Sequence, residues 1–544
     1  MSAFWHPISG DGTLTDVGGF SDAPPSWLVP VKHGWYWALV MNLYTMTNTA
    51  KTAAITYSLL CVLFVISMYL VPFLRSTALR VVLSLVILAG FLYELTVLDI
   101  MGKLPDYEIT AMLLHNATFG VEGALIAFRT EIVRNVLLVL ACAIPMLWKP
   151  PAAGKAPLLV IGLTAVLFAG VMYRTQGSMR YWPSPVLSYI AAVRTANIKT
   201  DYPLTAISYL GRITPKVENI IVVMDESVGG RYLTINGFEY DSTPALKRKE
   251  SEIANFGVTA AFANCSLQSR LVFRHLLDPK DIDKDWNELR TRTTIWQYAR
   301  QAGYATYHLD GFGGRNRFSH AMTMTEASHV DNRLTFEKAP RTDIDLHAAR
   351  ALREVLKKPG RKFIYVDKFG THIPYNSVYP KDQNVFGAEE DEEFSLRNVD
   401  KTRKQYGNAL RWATNTFFEI LFEEPLPPST LLVYTADHGQ TFDGIRATHC
   451  RTLNVFRRDE GEVPLFAMST DPLLFEQLRT AAAATRDHAS NYWMRSTLLG
   501  AMGFDGDWAR KAYGVGLTEA TAKDARFVYV FGTPVNLDDV RLVK

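Results

Sequence analysis

Long apolar runs occupy the first third of the chain and predict membrane-spanning helices. Four runs lie at about 54–74, 79–98, 134–148 and 157–173. A helix needs about 20 predominantly apolar residues to cross a bilayer, and a fifth candidate span lies at 27–46. The pattern predicts an N-terminal α-helical transmembrane domain of four or five helices over residues 1–175.

The pattern changes after residue 215, where short apolar runs alternate with helical stretches. The clearest strand-like segments lie within 217–227, 293–310, 363–375 and 430–439, and each ends in polar residues. Strands that alternate with helices predict an α/β domain with a mostly parallel central sheet. We expect this domain to cover 216–544, after a proline-containing linker at 176–215.

Basic residues predict how the chain is oriented in the membrane. Arg75 and Arg80 lie between the first two clear spans, and Lys149 and Lys155 lie between the last two. Because cytoplasmic loops carry an excess of lysine and arginine, the C-terminal domain is expected on the opposite face. In a bacterium that face is the periplasm. The formal net charge of +3 over 544 residues gives no reason to expect a nucleic-acid partner.

Carboxylate and imidazole side chains follow several predicted strands. The first predicted strand ends in Asp225-Glu226-Ser227, another in Gly370-Thr371-His372 and a third in Asp437-His438-Gly439, with His449 close behind. Active groups of parallel sheets gather beyond the carboxyl ends of the strands. Carboxylates and imidazoles that converge there suit a divalent transition metal, zinc above all.

The order of these motifs resembles the alkaline phosphatase/sulfatase superfamily. The motifs are a Glu-Ser pair after a buried strand, "NGFEYDSTPAL" at 236–246, then "TH.P", then "DHG" followed by a histidine. With helices before the exported domain, the chain resembles the bacterial phosphoethanolamine transferases. The resemblance implies that Glu226, Asp437 and His438 are zinc ligands. It also implies that His372 and His449 hold the transferred phosphate or a second metal.

Two serines are candidates for the nucleophile. The family uses a threonine four residues after a cysteine, and that count from Cys265 leads to Ser269, which is therefore the expected nucleophile and a further metal ligand. Ser266 is the rival. The segment "SLQSR" distantly resembles the sulfatase Cys/Ser-x-Pro-x-Arg signature, but Gln268 stands where proline belongs. Formylglycine modification is therefore not expected.

The segment 105–128 is too polar to span a membrane and is expected to be amphipathic and interfacial. The resembled family carries an Asn, Thr, Glu series here that is thought to meet the ethanolamine head group. Thr118 and Glu122 match that series, whereas Leu114 stands where the asparagine belongs. Glu122 alone fits a solvated face equally well.

Two of the four cysteines, Cys265 and Cys450, lie in the predicted exported domain. One hypothesis is that they form a disulfide, since both should lie near the active-site edge and the periplasm is oxidising. The disulfides usual in the resembled lipid A enzymes are absent from the sequence, and His275 occupies the position of one partner.

The resemblance implies a zinc enzyme of the bacterial inner membrane, with one or two zinc ions and a monomeric state. It is expected to transfer phosphoethanolamine from phosphatidylethanolamine to a hydroxyl of an envelope glycan or lipid, through a phospho-serine enzyme. The same site could instead transfer glycerol phosphate or hydrolyse a sulfate or phosphate ester. A non-catalytic, sulfatase-like envelope scaffold is the third alternative.

Overall fold

The computed structural model describes most of the C-terminal domain and four long helices before it. The described residues are 51–101, 105, 110, 128–147, 156–175, 190, 203–278, 289–314, 318–388, 396–445, 447–530 and 533–540. The long helices are α1 (Lys51–Leu70), α2 (Thr77–Met101), α3 (Arg129–Leu147) and α4 (Ala156–Thr175). They lie over the four apolar runs of the sequence.

Among the described residues, one stretch is long and apolar enough to cross a membrane. It is Thr77–Ile100 in α2, with 24 residues and a mean hydropathy of 2.3. Shorter apolar stretches lie in α1 (Ser58–Ser67) and α4 (Pro157–Gly170). A four- or five-helix transmembrane domain therefore stays a prediction, as do the domain boundaries.

A seven-stranded sheet forms the centre of the C-terminal domain, with strand order β2-β7-β6-β1-β5-β3-β4. Its strands are β1 (Asn219–Asp225), β2 (Ala254–Ala260), β3 (Ala305–Asp310), β4 (Asn332–Thr335), β5 (Lys362–Asp367), β6 (Thr430–Ala436) and β7 (Glu462–Ser469). Strand β7 runs antiparallel to its two neighbours, β2 and β6, and the other strand pairs of this sheet are parallel. The predicted mostly parallel sheet is thereby confirmed. A separate hairpin pairs β8 (Phe527–Val530) with β9 (Thr533–Asn536).

Helices cover both faces of the sheet. They are α5 (Pro244–Arg248), α6 (Ser266–Arg274), α7 (Ile295–Gln301), α8 (Met324–Ala327), α9 (Ile344–Leu356), α10 (Val399–Ala409), α11 (Thr416–Leu421), α12 (Pro472–Ala484), α13 (Met494–Met502) and α14 (Gly506–Tyr513). Successive side chains of a strand point to opposite faces, so Ile220 and Val222 join one buried apolar cluster while Ile221 and Val223 join the other. This is why the central strands read as unbroken apolar runs.

Helix α2 ends against the C-terminal domain. Val97 packs with Cys265, Leu267 and Cys450. The Ala447 amide donates a hydrogen bond to the carbonyl oxygen of Ile100 at 3.3 Å. The apolar helix therefore contacts the same side of the domain as the strand ends of the site.

Candidate metal centre

The candidate site lies at the carboxyl ends of two neighbouring strands. Strands β1 and β6 pair in parallel and finish opposite each other, at Asp225 and Ala436. Glu226 follows β1 directly, and Asp437 and His438 follow β6, so all three leave the same edge of the sheet. One ligand atom from each lies within 4.8 Å of the others.

The backbone of Glu226 is fixed from both sides. Its amide donates to Asp225 Oδ1 at 3.0 Å, and its carbonyl oxygen accepts from the amide of Thr371 at 3.1 Å. The next residue, Ser227, has a φ of +63°, which non-glycine residues rarely adopt. This conformation lets the Ser227 hydroxyl donate to Glu226 Oε1 at 2.7 Å. Backbone strain of this kind is often found where a site is preorganised.

Gly370 makes the close approach to Glu226 possible. Its φ is +57°, and a Cβ there would lie 2.5 Å from Asp225 Oδ1 and 2.6 Å from the Glu226 carbonyl oxygen. Only glycine fits this position. The strand β5 itself ends at Asp367, so the prediction that it ends at 370–372 was too long by several residues.

Hydrogen bonds also fix the side chains of Asp437 and His438. Asp437 Oδ1 accepts from the amides of Ser227 (2.9 Å) and His438 (2.8 Å), which leaves Oδ2 facing the other ligands. His438 Nδ1 lies 2.9 Å from the carbonyl oxygen of Gly439. A proton on Nδ1 satisfies this contact and leaves the Nε2 lone pair available for a metal, as is usual for ligating histidines.

Close packing explains why the third residue of the DHG motif, Gly439, is a glycine. A Cβ on Gly439 would lie 2.0 Å from the carbonyl oxygen of Asp459 and 2.4 Å from that of Glu462. The turn after His438 therefore passes too close to the segment before β7 for any side chain.

Ser266, the rival serine, completes the cluster. Its hydroxyl donates to Glu226 Oε1 at 3.1 Å and lies 3.0 Å from His438 Nε2. His438 Nε2 in turn lies 3.3 Å from Glu226 Oε1 and 3.5 Å from Asp437 Oδ2. Zinc–ligand bonds of about 2.0–2.2 Å separate neighbouring ligands of a tetrahedral site by about 3.3–3.6 Å. These four distances are close to the ligand spacing that a tetrahedral metal requires.

Ser269, the serine expected to be the nucleophile, contacts backbone atoms in the structure, and its role stays a prediction. It is fully buried, its Oγ accepts from the amide of Ala263 at 2.9 Å, and the same Oγ contacts the backbone carbonyl oxygens of Ala263 and Asp437. Ser266 is the first residue of α6 and is partly exposed, whereas Ser269 lies three residues, or about 4.5 Å, further along the axis. Ser269 therefore lies deeper in the domain than Ser266, and its hydroxyl contacts the backbone of Asp437.

Arg270 and Asp367 are site residues that the sequence reasoning missed. The buried guanidinium of Arg270 pairs with Asp437, with Glu226 Oε2 at 3.0 Å and with Asp367 Oδ1 at 2.6 Å. The signal was present in the sequence, since Arg270 occupies the arginine position of the sulfatase-like segment that begins at Ser266.

The two further predicted histidines border the cluster. The His449 ring stacks on that of His438 with centroids 4.0 Å apart. His372 Nδ1 lies 2.8 Å from the carbonyl oxygen of Ile373. Burial lowers the pKa of His372, and the nearby carboxylate of Glu226 partly offsets that effect. Burial and the neighbouring His438 hold the pKa of His449 well below its ordinary value.

The electrostatics of the cluster favour a cation. Burial alone would raise the pKa of Glu226, but Arg270 and His438 outweigh it and hold the pKa well below its ordinary value. Burial, opposed by Arg270 and reinforced by Glu226, raises the pKa of Asp437 to about 6. Three buried carboxylates face Arg270, so ionisation of all three leaves two negative charges uncompensated by the arginine. Burying unpaired charge is costly; Asp437 and Glu226 raise the pKa of His438 against the effect of burial, and a bound divalent cation would balance the same negative charge.

The residues present therefore fit a metal ion. Glu226, Asp437, His438 and Ser266 offer two carboxylates, an imidazole nitrogen with an available lone pair and a hydroxyl. Glu226 Oε2 is buried and makes no conventional hydrogen bond. Two other predicted residues, Thr118 and Glu122, lie outside the described residues, and their role stays a prediction.

The proposed disulfide is present. Cys265 and Cys450 are bonded, with their Cα atoms 4.7 Å apart, which confirms the hypothesis drawn from the sequence. The bridge joins the residue before Ser266 to the residue after His449.

The fold and site define a class of protein. The family model for sulfatases matches residues 218–502, which is more than half of the chain and includes every ligand described above. The chain belongs to the sulfatase family.

Particular relatives within this class are phosphoethanolamine transferases. The chain is 23% identical over 235 residues to phosphoethanolamine transferase EptC of Escherichia coli O18:K1:H7, and the match covers 41% of this chain. Phosphoethanolamine transferase CptA of Salmonella typhimurium matches at the same identity and coverage. In both cases the chain spans 39% of the relative's length. The resemblance drawn from the sequence is thus confirmed.

A full-length solved structure shares the fold. It is the integral membrane protein lipooligosaccharide phosphoethanolamine transferase A of Neisseria meningitidis. The TM-score is 0.59 at 14% identity, with 89% of this chain and 96% of that chain covered. The C-terminal periplasmic domain of EptC from Escherichia coli, in complex with Zn, matches at 17% identity with a TM-score of 0.49, over 62% of this chain and 98% of that domain.

Proposed function

We propose that this protein is a zinc-dependent phosphoethanolamine transferase that works through a covalent intermediate on Ser266. The observation that carries the proposal is the contact of one partly exposed serine hydroxyl with both Glu226 and His438, at the spacing of a tetrahedral metal site. The relatives named as phosphoethanolamine transferases supply the substrate class.

Glu226, Asp437, His438 and Ser266 would hold the ion. When bound, zinc supplies a Lewis acid that lowers the pKa of a coordinated hydroxyl and neutralises charge on phosphoryl oxygens. Glu226 Oε1 accepts the hydrogen bond of the Ser266 hydroxyl and so orients that hydroxyl. Arg270 holds both metal-ligating carboxylates in place.

The reaction has two balanced steps. Ser266 Oγ forms a bond to phosphorus, the bond from phosphorus to the diacylglycerol oxygen breaks, and the serine proton ends on diacylglycerol. The oxygen of an acceptor hydroxyl then bonds to phosphorus, the bond from phosphorus to Ser266 Oγ breaks, and the acceptor's proton regenerates the Ser266 hydroxyl. His372 and His449 border the cluster and are partly exposed, so their ring N–H groups can donate to the phosphoryl oxygens in both steps.

The proposal includes a location and partners. Helices α1 to α4 form a membrane domain, and the sulfatase-like domain lies on the periplasmic face of a bacterial inner membrane. Phosphatidylethanolamine reaches the site laterally, with its head group near Thr118 and Glu122. The acceptor is a hydroxyl of an envelope glycan or lipid, and the enzyme acts as a monomer.

The test is the intact mass of the full chain in detergent after incubation with zinc and phosphatidylethanolamine. We expect a phosphoethanolamine adduct on the wild type and on Ser269→Ala, but none on Ser266→Ala. Wild type stripped of zinc by a chelator should also lack the adduct. An adduct that survives in Ser266→Ala and disappears in Ser269→Ala would return the nucleophile to Ser269. A folded, zinc-loaded wild type without any adduct would contradict the transferase.

Ester hydrolysis is the second candidate, and Arg270 is the observation that favours it. Its place four residues after Ser266 matches the sulfatase-like segment, and its guanidinium contacts both acidic ligands. Turnover of an aryl phosphate or sulfate ester without any acceptor, in a protein that takes no group from phosphatidylethanolamine, would support this reading. Transfer of glycerol phosphate would appear as an adduct with phosphatidylglycerol as donor.

A further inference from the structure

The Cys265–Cys450 disulfide joins two segments of the candidate centre that are 185 residues apart in sequence. Cys265 directly precedes Ser266, the first residue of α6. Cys450 directly follows His449, whose ring stacks on His438. One covalent link therefore joins the residue next to Ser266, which contacts His438, to the residue next to His449, which stacks on His438.

The backbone around the bridge is tightly specified. Cys450 has a φ of +58°, a left-handed conformation that non-glycine residues rarely adopt. Its amide donates to the carbonyl oxygen of Asn264 at 2.9 Å. The side-chain amide of Asn264 donates to the carbonyl oxygen of Arg451 at 2.7 Å. Strained conformations persist only where the surroundings over-determine them, and here the bridge and these bonds surround the strained residue.

The apolar helix α2 covers the bridge. Cys265, Cys450 and Val97 are 2%, 8% and 4% exposed and form one apolar cluster with Leu267. Three residues after Val97, the carbonyl oxygen of Ile100 accepts from the amide of Ala447, which lies two residues before His449. The helix therefore contacts both the disulfide and the segment that carries His449.

We propose that the disulfide, which Val97 covers, positions the side chains of the catalytic centre. It keeps the Ser266 hydroxyl in contact with Glu226 and His438, and the His449 imidazole stacked on His438. Neither cysteine is a catalytic residue, because each acts through its neighbour. This inference rests on the proposed role of Ser266, and it couples the geometry of the site to the end of the apolar helix.

The first test measures zinc release, which does not depend on transferase activity. Full-length protein in detergent is loaded with zinc, with or without prior reduction by a phosphine, and then mixed with a chromogenic chelator. We expect reduction to speed zinc release by about tenfold, the lower end of what a lost supporting contact costs a metal site. In Ser266→Ala, which lacks the positioned hydroxyl, reduction should change the rate less than twofold.

Controls separate this effect from other thiols and from unfolding. Cys61→Ser removes the buried cysteine of α1, which is not part of the disulfide, and should respond to reduction like the wild type. Circular dichroism checks that the reduced protein keeps its fold. Equal rates before and after reduction, or equal acceleration in wild type and Ser266→Ala, would overturn the proposal.

The second test leaves the disulfide intact and changes only its cover. Val97→Ala opens space over the bridge, whereas Val86→Ala makes the same change at a 42% exposed position of the same helix. We expect the phosphine to reduce the bridge several-fold faster in Val97→Ala and at the wild-type rate in Val86→Ala. Equal reduction rates in wild type, Val97→Ala and Val86→Ala would show that α2 does not cover the bridge. This comparison of rates holds even if the chain unfolds after reduction.

Turnover measurements test the positioning role of the disulfide together with the proposed transferase function, and they show which of the two fails. With phosphatidylethanolamine as donor, reduction should lower kcat with little change in KM, because misplacement of a reacting group by about 1 Å can cost 100-fold in rate. If oxidised wild type forms no adduct, the proposed function fails. The zinc-release comparison then still reports whether the bridge positions Ser266.

Discussion

Individual side chains at the strand ends decide what this domain can do. Glu226, Asp437 and His438 leave adjacent parallel strands, and Ser266 reaches them from the start of α6. Arg270 lies one helical turn below Ser266 and neutralises part of the charge on the acidic ligands. The cluster is therefore a network in which the loss of any charge leaves another buried and unpaired.

The substitution Arg270→Ala tests this balance. It leaves Glu226, Asp367 and Asp437 without their shared cation, and breaking a buried ion pair costs about 3–5 kcal/mol. We expect that loss in the free energy of unfolding of the full chain, measured in detergent without zinc. Added zinc should raise the melting temperature of the variant more than that of the wild type, because the ion supplies the missing positive charge.

A surface arginine is the matched control for Arg270. The side chains of Arg248 and Glu419 are 62% and 42% exposed in their ion pair, and exposed pairs contribute about 1 kcal/mol or less. Arg248→Ala should therefore change stability little, with or without zinc. A similar loss in both variants would contradict the assignment of Arg270 to the site.

At the scale of elements, a buried ion pair ties helix α6, which carries Ser266, to its neighbours. Arg274 at the end of α6 pairs with Glu326 of α8 at 2.6 Å, and Trp296 Nε1 of α7 donates to the same carboxylate at 3.2 Å. His275 Nε2 lies 3.3 Å from it. Three short helices thus share one carboxylate, and the orientation of α6 depends on it.

Replacement of Glu326 by glutamine should loosen α6. Burial alone would raise the pKa of Glu326, but Arg274 and His275 outweigh it and hold the pKa well below its ordinary value. A carboxyl whose pKa is lowered by folding stabilises the protein above its unfolded pKa of about 4.3, and this contribution is lost as the pH falls below that value. We expect Glu326→Gln to cost about 3–5 kcal/mol at pH 7, with a difference from wild type that shrinks on acidification.

Chemical unfolding of the full chain at several pH values measures this difference. The control is Glu476→Gln, because Glu476 and Arg479 form an ion pair with both side chains more than half exposed. Its effect should stay below about 1 kcal/mol. A Glu326→Gln effect that grows toward low pH would contradict the stated sign.

At the scale of the whole molecule, the apolar helices and the sulfatase-like domain form one connected structure. Phe128, just before α3, packs into one face of the domain core, and Glu131 of α3 pairs with Arg397. With the contact of α2 at Cys265 and Cys450, these interactions place the candidate centre beside the helices that are proposed to lie in the membrane. A lipid donor suits a site in that position better than a soluble ester does.

Cysteine labelling can test the proposed orientation. In intact bacterial cells with a permeabilised outer membrane, a membrane-impermeant thiol reagent should label Lys357→Cys, an exposed position after α9. It should label Arg75→Cys, exposed in the turn between α1 and α2, only after the inner membrane is also broken. The positive-inside rule is the basis of this expectation, and the opposite labelling pattern would reverse the orientation.

The sequence by itself determined the class of fold and the identity of the metal-ligand candidates. Unbroken apolar runs such as 219–225 and 430–436 must be buried on both faces, which indicates a parallel sheet, and polar residues at their carboxyl ends then lie at one edge. Local sequence order suffices for these conclusions, and it also marked Cys265 and Cys450 as candidates for a bridge.

Only the tertiary structure shows which candidate serine meets Glu226 and His438, and that serine is Ser266. Both serines lie on α6, and the choice depends on where the helix begins relative to the sheet edge, which is set by packing across the whole domain. The same is true of Arg270, whose partners come from three different strand ends at β1, β5 and β6, and of Val97, which meets the disulfide from a separate helix. Contacts between residues far apart in the chain are fixed by the way elements pack, and that information does not reside in any local pattern.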